Sequence, residues 1–202
     1  MDLIGFALAV LLIELTPGPN MAWLAGLAAV EGRRAGFAAT AGVAIGLLLN
    51  GLLAALGLAA LLQTMPQLLT GLRLAGAAMM LVLAIQTWRA STVPGAASGT
   101  SAKAHRPFFT GALINLLNPK AYIFFVVVVP QFLGTAALTL GNALLLALVS
   151  AVIATVIHLA IVLAGSRAHE WLSDPARTRV TRRVFALVMV GVAVSFLLAD
   201  FD

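Results

Sequence analysis

Six long apolar runs divide this chain, at about Leu3–Val30, Ala35–Leu62, Leu68–Trp88, Phe108–Leu133, Leu138–Gly165 and Val184–Ala199. A helix needs about 20 predominantly apolar residues to cross the hydrocarbon core of a bilayer. In lipid every backbone polar group must find its partner inside the protein, so such runs are expected to fold as helices. Soluble domains are about half apolar and a quarter charged; here 62% of residues are hydrophobic and 9% charged. The expectation is an all-α, polytopic membrane protein, with the 202 residues in one domain. The first run is too long for the core of a signal peptide, so it reads as a retained span.

The basic residues sort by connection. Arg33 and Arg34 lie between the first two runs, and Arg89, Lys103 and Arg106 between the third and fourth. Arg167, Arg177, Arg179, Arg182 and Arg183 lie between the fifth and sixth. The connections Gln63–Gln67 and Gly134–Ala137 carry no Lys or Arg, and only Arg73 lies near that side. The positive-inside rule then puts both termini outside. A net charge of +5 could also suggest a nucleic-acid partner. The basic residues follow the loops rather than one face or a reading motif, so membrane orientation explains them and no nucleic acid is expected.

The segment Arg89–Pro107 (RASTVPGAASGTSAKAHRP) is small, polar and rich in proline and glycine, the composition of a flexible linker. Residues 91–106 are therefore read as a cytoplasmic linker between a first repeat, 1–90, and a second, 107–202. Each half holds an odd number of spans, so related halves must be inverted.

Two runs are broken in the same way. The first contains Glu14–Asn20, ELTPGPN, and the fourth contains Asn118-Pro119-Lys120. Proline has no N–H and its ring clashes with the carbonyl four residues earlier. Pro17 and Pro19 thus free the carbonyls of Ile13 and Leu15, and Pro119 frees that of Asn115. Freed carbonyls at membrane depth are tolerated only against protein or a water-filled cavity. A pair of proline-interrupted spans at matching places points to a midplane transport site between inverted repeats.

Glu14 and Lys120 are the formal charges well inside the apolar core, each about eleven residues from the start of its run. At about 1.5 Å per residue both reach the middle of the bilayer. An isolated charge there is costly, so the two are expected to face each other or share a wet cavity. The alternative is a fixed ion pair that only holds two helices together. Asn115, Asn118 and Tyr122 follow at i, i+3 and i+7, one helical stripe, and Thr16 and Asn20 are four apart. His158, near Thr155 in the fifth run, is a candidate proton relay, with an interhelical hydrogen bond as the default reading. Gly42 and Gly46 form a GxxxG pattern, read as packing within the protomer, with a homodimer face as the alternative.

These motifs carry a resemblance. TPGPN in the first run, GRRAGFAATAGVAIG leading into the second, and NLLNPKAYIFFVVVVPQF in the fourth resemble the lysine exporter/threonine-homoserine exporter (LysE/RhtB) family. The resemblance covers nearly the whole chain. It implies a bacterial inner-membrane exporter of amino acids or their derivatives, driven by the proton gradient, with no bound cofactor and no metal. Carried over by motif are Pro17, Gly18, Pro19 and Asn20, then Asn118, Pro119 and Lys120. The chain departs from the family pattern at Leu47, where an aspartate is common after the glycine, at GAAMM (Gly76–Met80) and at Glu14. The proton-carrying group is accordingly expected at Glu14, with a different coupling as the alternative.

A membrane-embedded enzyme would need paired aspartates, a Ser-His or Ser-Lys dyad, or an HExxH motif. None of the runs holds an aspartate, HExxH is absent, and Ser150 and His158 are too far apart on one helix for a dyad. Cysteine is absent, which excludes disulfides and thiolate metal sites. The expected partners are protons, lipid and a small zwitterionic substrate. Glu14 would attract the ammonium, Lys120 the carboxylate, and the freed carbonyls would add acceptors. A non-transporting assembly protein is the bland rival.

Overall fold

A computed structural model describes residues 1–57, 61, 64–90, 105–133, 139–171 and 175–198. Most of the expected linker, residues 91–104, lies outside the described residues. What is described is helical, with no strand among it. The first run is two helices, α1 (Leu3–Leu15) and α2 (Pro19–Glu31), bent by 55° at the break between them. Next come α3 (Arg33–Ala55) and α4 (Pro66–Ala90). The fourth run is divided into α5 (His105–Leu116), α6 (Pro119–Ile123), a π-helical turn (Phe124–Val128) and α7 (Val129–Leu133). Two long helices, α8 (Leu140–Trp171) and α9 (Pro175–Leu198), complete the fold.

By length and composition, Arg33–Ala55, Thr70–Arg89 and Leu140–Ala168 can each cross a membrane, and the bent α1–α2 pair makes a fourth span. Among the described residues, no helix of the fourth and sixth runs is both long and apolar enough to be counted with them. Large apolar side chains on the outer faces, among them Leu8, Leu12, Leu81, Val156 and Leu187, are exposed, as a lipid-facing surface requires. The protein is a multi-pass membrane protein.

Local chemistry explains the irregular places. Asp2 caps α1 by accepting from the Gly5 N–H at 2.9 Å. Gly32 joins α2 to α3 with φ 82° and ψ 177°, a conformation open essentially to glycine, so the chain turns from one helix to the next in a single buried residue. In the fourth run Pro130 cannot donate to the Val126 carbonyl four residues before it, and the wider π turn ahead of it absorbs that mismatch.

The helices meet through small residues. A Cβ on Gly42 would overlap the carbonyl of Phe108, and one on Gly111 would overlap that of Ala39, so α3 and α5 touch backbone to backbone. Gly46 sits against Ala112 and Asn115 in the same seam. The GxxxG face is thus used inside one protomer and lends no support to a homodimer.

Besides a small apolar cluster between α3 and α8, two larger ones fill the bundle. One joins Phe6 and Val10 of α1 to Phe124, Phe125, Val129 and Leu133 beyond the second break, with Leu146 of α8. The other joins Trp23 and Leu24 of α2 to Met80 of α4, Ile114 of α5 and Met189 of α9. Each broken run contributes one half to each cluster, so both breaks lie at the junction between them. At one end of the bundle the Asp2 N–H donates to the Phe132 carbonyl at 3.0 Å, setting the two broken runs antiparallel. At the other end the Arg183 guanidinium lies over the Trp88 ring, 5.4 Å from its centroid, and Arg106 hydrogen-bonds Gln86. The basic starts of α5 and α9 thus meet the end of α4.

Candidate functional site

The two breaks share one local construction. Thr16 and Asn118, each preceding a proline, are extended, with ψ 121° and 114°. Each donates its N–H three residues back, Thr16 to the Ile13 carbonyl and Asn118 to the Asn115 carbonyl, both at 3.1 Å. A proline then opens the next helix, at Pro19 and at Pro119. The first break is longer by the pair Pro17-Gly18.

The breaks differ in how their carbonyls are satisfied. The second is stitched by its own neighbourhood. The Tyr122 hydroxyl donates to the Leu116 carbonyl, and the Asn50 amide of α3 donates to the Asn115 carbonyl at 3.4 Å. Asn118 caps α6 by accepting from the Lys120 N–H at 3.0 Å. The first break is satisfied from across the bundle. Lys120 Nζ donates to the carbonyls of Ile13 at 2.7 Å and Thr16 at 3.3 Å.

Between the breaks lies a small cavity of about 30 Å³, with room for ordered water. Its polar lining comes from Glu14, Asn20, Asn115, Asn118, Lys120, Ser150 and His158, and its apolar lining includes Val10, Leu47 and Phe124. Asn20 donates to Asn115 at 2.8 Å, tying one break to the other. His158 Nε2 stands 3.8 Å from Glu14 Oε2, and among the described residues Glu14 and Lys120 form no ion pair. Asn20 Oδ1, Asn115 Nδ2, His158 Nε2 and, just beyond, Asn50 Oδ1 are buried without a hydrogen-bond partner. Such atoms cost about 1–3 kcal/mol each until a polar group reaches them. No three His, Asp or Glu side chains come together to hold a metal among the described residues.

The cavity gathers Glu14, Gly18, Pro19, Asn20, Asn115, Asn118, Lys120 and His158. It does not gather Thr16, Pro17 or Tyr122. The helix ends between Thr16 and Asn20, so their four-residue spacing does not put them on one face. Thr16 is exposed and its hydroxyl turns back to the Leu12 carbonyl at 3.1 Å; Pro17 is exposed beside it. The stripe Asn115, Asn118, Tyr122 fails for the same reason, because the break falls at Asn118. Sequence reasoning did not assign Asn50, Leu47 or Ser150 to the site. Asn50 carried a usable signal, a lone amide deep in an apolar run.

Residues 11–200 match the family model of the LysE type translocators. The chain belongs to that family. A membrane protein of Pseudomonas aeruginosa described as uncharacterized is 32% identical over 84% of this chain and 82% of its own length. A leucine efflux protein of Klebsiella pneumoniae is 30% identical over 96% of this chain and 93% of its own. A homoserine/homoserine lactone efflux protein of Salmonella typhimurium is 25% identical, covering 93% and 92%. No solved structure matches. As a LysE type translocator the protein is a membrane transporter and not an enzyme.

Proposed function

We propose that this LysE type translocator exports amino acids or amino-acid derivatives across the bacterial inner membrane in exchange for protons, through the cavity between its two breaks. The observation that carries this reading is the convergence, at one cavity, of both broken runs with Glu14, Lys120 and His158. The efflux names of the Klebsiella and Salmonella relatives support the substrate class and the direction.

The site suits a zwitterion. α1 ends there with its carbonyls and the negative end of its dipole, and α2 begins there with its first N–H groups and the positive end. A substrate ammonium fits the first with Glu14, and a substrate carboxylate fits the second with Lys120. Proton exchange at Glu14, with His158 beside it, would couple efflux to the gradient. Export then requires the half-helices to move so that the cavity opens to one side of the membrane at a time.

The packing supports an inverted-repeat reading with six spans, 1–90 and 107–202. α3 packs on the fourth run and α8 on the first; α3 pairs with α8 and α4 with α9. Exchanging the two halves maps this pattern onto itself. Basic residues at the ends of α4, α5 and α9 support a cytoplasmic face there, with both termini periplasmic.

Reconstituted protein in liposomes loaded with labelled L-leucine or L-homoserine tests the proposal. The expected result is efflux that accelerates with acid outside and slows when a protonophore collapses the gradient. Efflux of both no faster than from protein-free liposomes would count against it.

A further inference from the structure

We propose that Lys120 sets substrate specificity: its ammonium rests on the carbonyl site that receives the substrate's ammonium, and yields it only to a molecule that also brings a carboxylate. This rests on the reading of the cavity as the transport site.

The site is the last turn of α1. The carbonyl of Ile13 lacks its helical donor because the residue four places on is Pro17, and the chain turns away before Thr16 can find its own. Lys120 Nζ takes both, at 2.7 and 3.3 Å. A lysine ammonium and an α-ammonium are the same chemical group, three donors and no acceptor, so either fits. They cannot share the site, because like charges about 3 Å apart at low dielectric repel strongly.

Charge then decides which molecule enters. With an incoming ammonium the cavity holds two cations and one carboxylate, Glu14, which already faces His158 at 3.8 Å. An amine leaves displaced Lys120 without a counter-charge at membrane depth. A zwitterion brings a carboxylate and balances it. Lys120 Nζ already lies beside Gly18 at the start of α2, where an added Cβ would be in ordinary contact with it at 3.6 Å, so a carboxylate held at the α2 N-terminus is within reach of its flexible stem.

The test compares ligands matched in side chain. L-leucine against 3-methylbutylamine, and L-homoserine against 3-aminopropan-1-ol, differ only by the carboxylate. Binding is read on the purified full-length protein in detergent at constant pH. For wild type, each amine is expected to bind about 10-fold or more weakly than its amino acid. In Lys120→Met and Lys120→Gln the order should reverse, with the amine bound at least as well. Lys120→Arg keeps a cation and should keep the zwitterion preference. A wild type that binds amine and amino acid equally overturns the proposal without any variant, as does a folded Lys120→Met that still rejects amines. If neither amino acid binds wild type or leaves proteoliposomes, the transport reading itself has failed; if both are exported and amines are accepted, only the role of Lys120 has.

Discussion

Lys120, in the second half of the chain, donates a 2.7 Å hydrogen bond to the carbonyl of Ile13, 107 residues earlier in the first. One broken span thus adds a second donor to a carbonyl that the other satisfies only through the Thr16 N–H three residues on. The bond sets a charge within an apolar run against a backbone defect in another, and each removes part of the cost of the other. Because it is made by a flexible side chain, it can also be broken and remade. The second break, held by Tyr122, Asn50 and Asn118, has no such removable clasp among its described partners.

The α3–α5 seam should be intolerant of bulk where an exposed glycine is not. A Cβ at Gly42 meets the Phe108 carbonyl, whereas one at Gly71 meets nothing within 4 Å. Gly42→Ala is expected to cost about 1–3 kcal/mol through forced separation of the helices. Gly71→Ala should be neutral or stabilising by up to about 1 kcal/mol, from helix propensity. Unfolding of both variants in one detergent checks the contrast.

Orientation can be read by labelling, since the chain has no cysteine of its own. Asp2→Cys should react with a membrane-impermeant thiol reagent in intact cells. Ser98→Cys should react only after permeabilisation. Reaction of Ser98→Cys in intact cells would reverse the orientation drawn from the arginines.

The long apolar runs, the two proline breaks and the meeting of Glu14 with Lys120 in one cavity were legible in the sequence because each follows from a single residue type meeting lipid. Proline breaks a helix wherever it falls, and a charge at that depth must find company. Face assignments were not legible. Counting by fours placed Thr16 with Asn20 and Asn118 with Tyr122, but the breaks that make the site interesting also reset the helical phase. Leu47, Asn50 and Ser150 join the site through packing of α3 and α8 against the breaks, which no spacing within one run encodes. The turn at Gly32 is similar: the residue type permits its backbone conformation, and only the crossing of α2 and α3 demands it.

Asn50 gives a separable test. Its amide reaches the Asn115 carbonyl at 3.4 Å, a long bond, and its oxygen is unpartnered. Asn50→Ala should therefore cost only about 1 kcal/mol of stability. Transport should fall further than stability, because the carbonyl it steadies borders the cavity. Efflux per folded molecule, against a thermal melt of the same sample, separates the two.

Pro17→Ala should be mild. Pro17 is exposed, and Pro19 still opens α2. Efflux within about threefold of wild type is expected, since the change costs less than about 0.7 kcal/mol of barrier. Gly18→Ala should fold normally, as Gly18 is extended at φ −146° and its added Cβ makes only ordinary contacts with Lys120.

The central claim is that Glu14 carries the proton that drives export, and its most direct test is Glu14→Gln in proteoliposomes. Glutamine keeps the size of the side chain and cannot titrate. The variant should insert, purify and melt like wild type, and its efflux of L-leucine or L-homoserine should no longer respond to a pH gradient. Efflux at the wild-type rate with the wild-type dependence on outside acidity would contradict the claim, leaving Glu14 a structural partner of His158 and moving the search for the coupling group to His158.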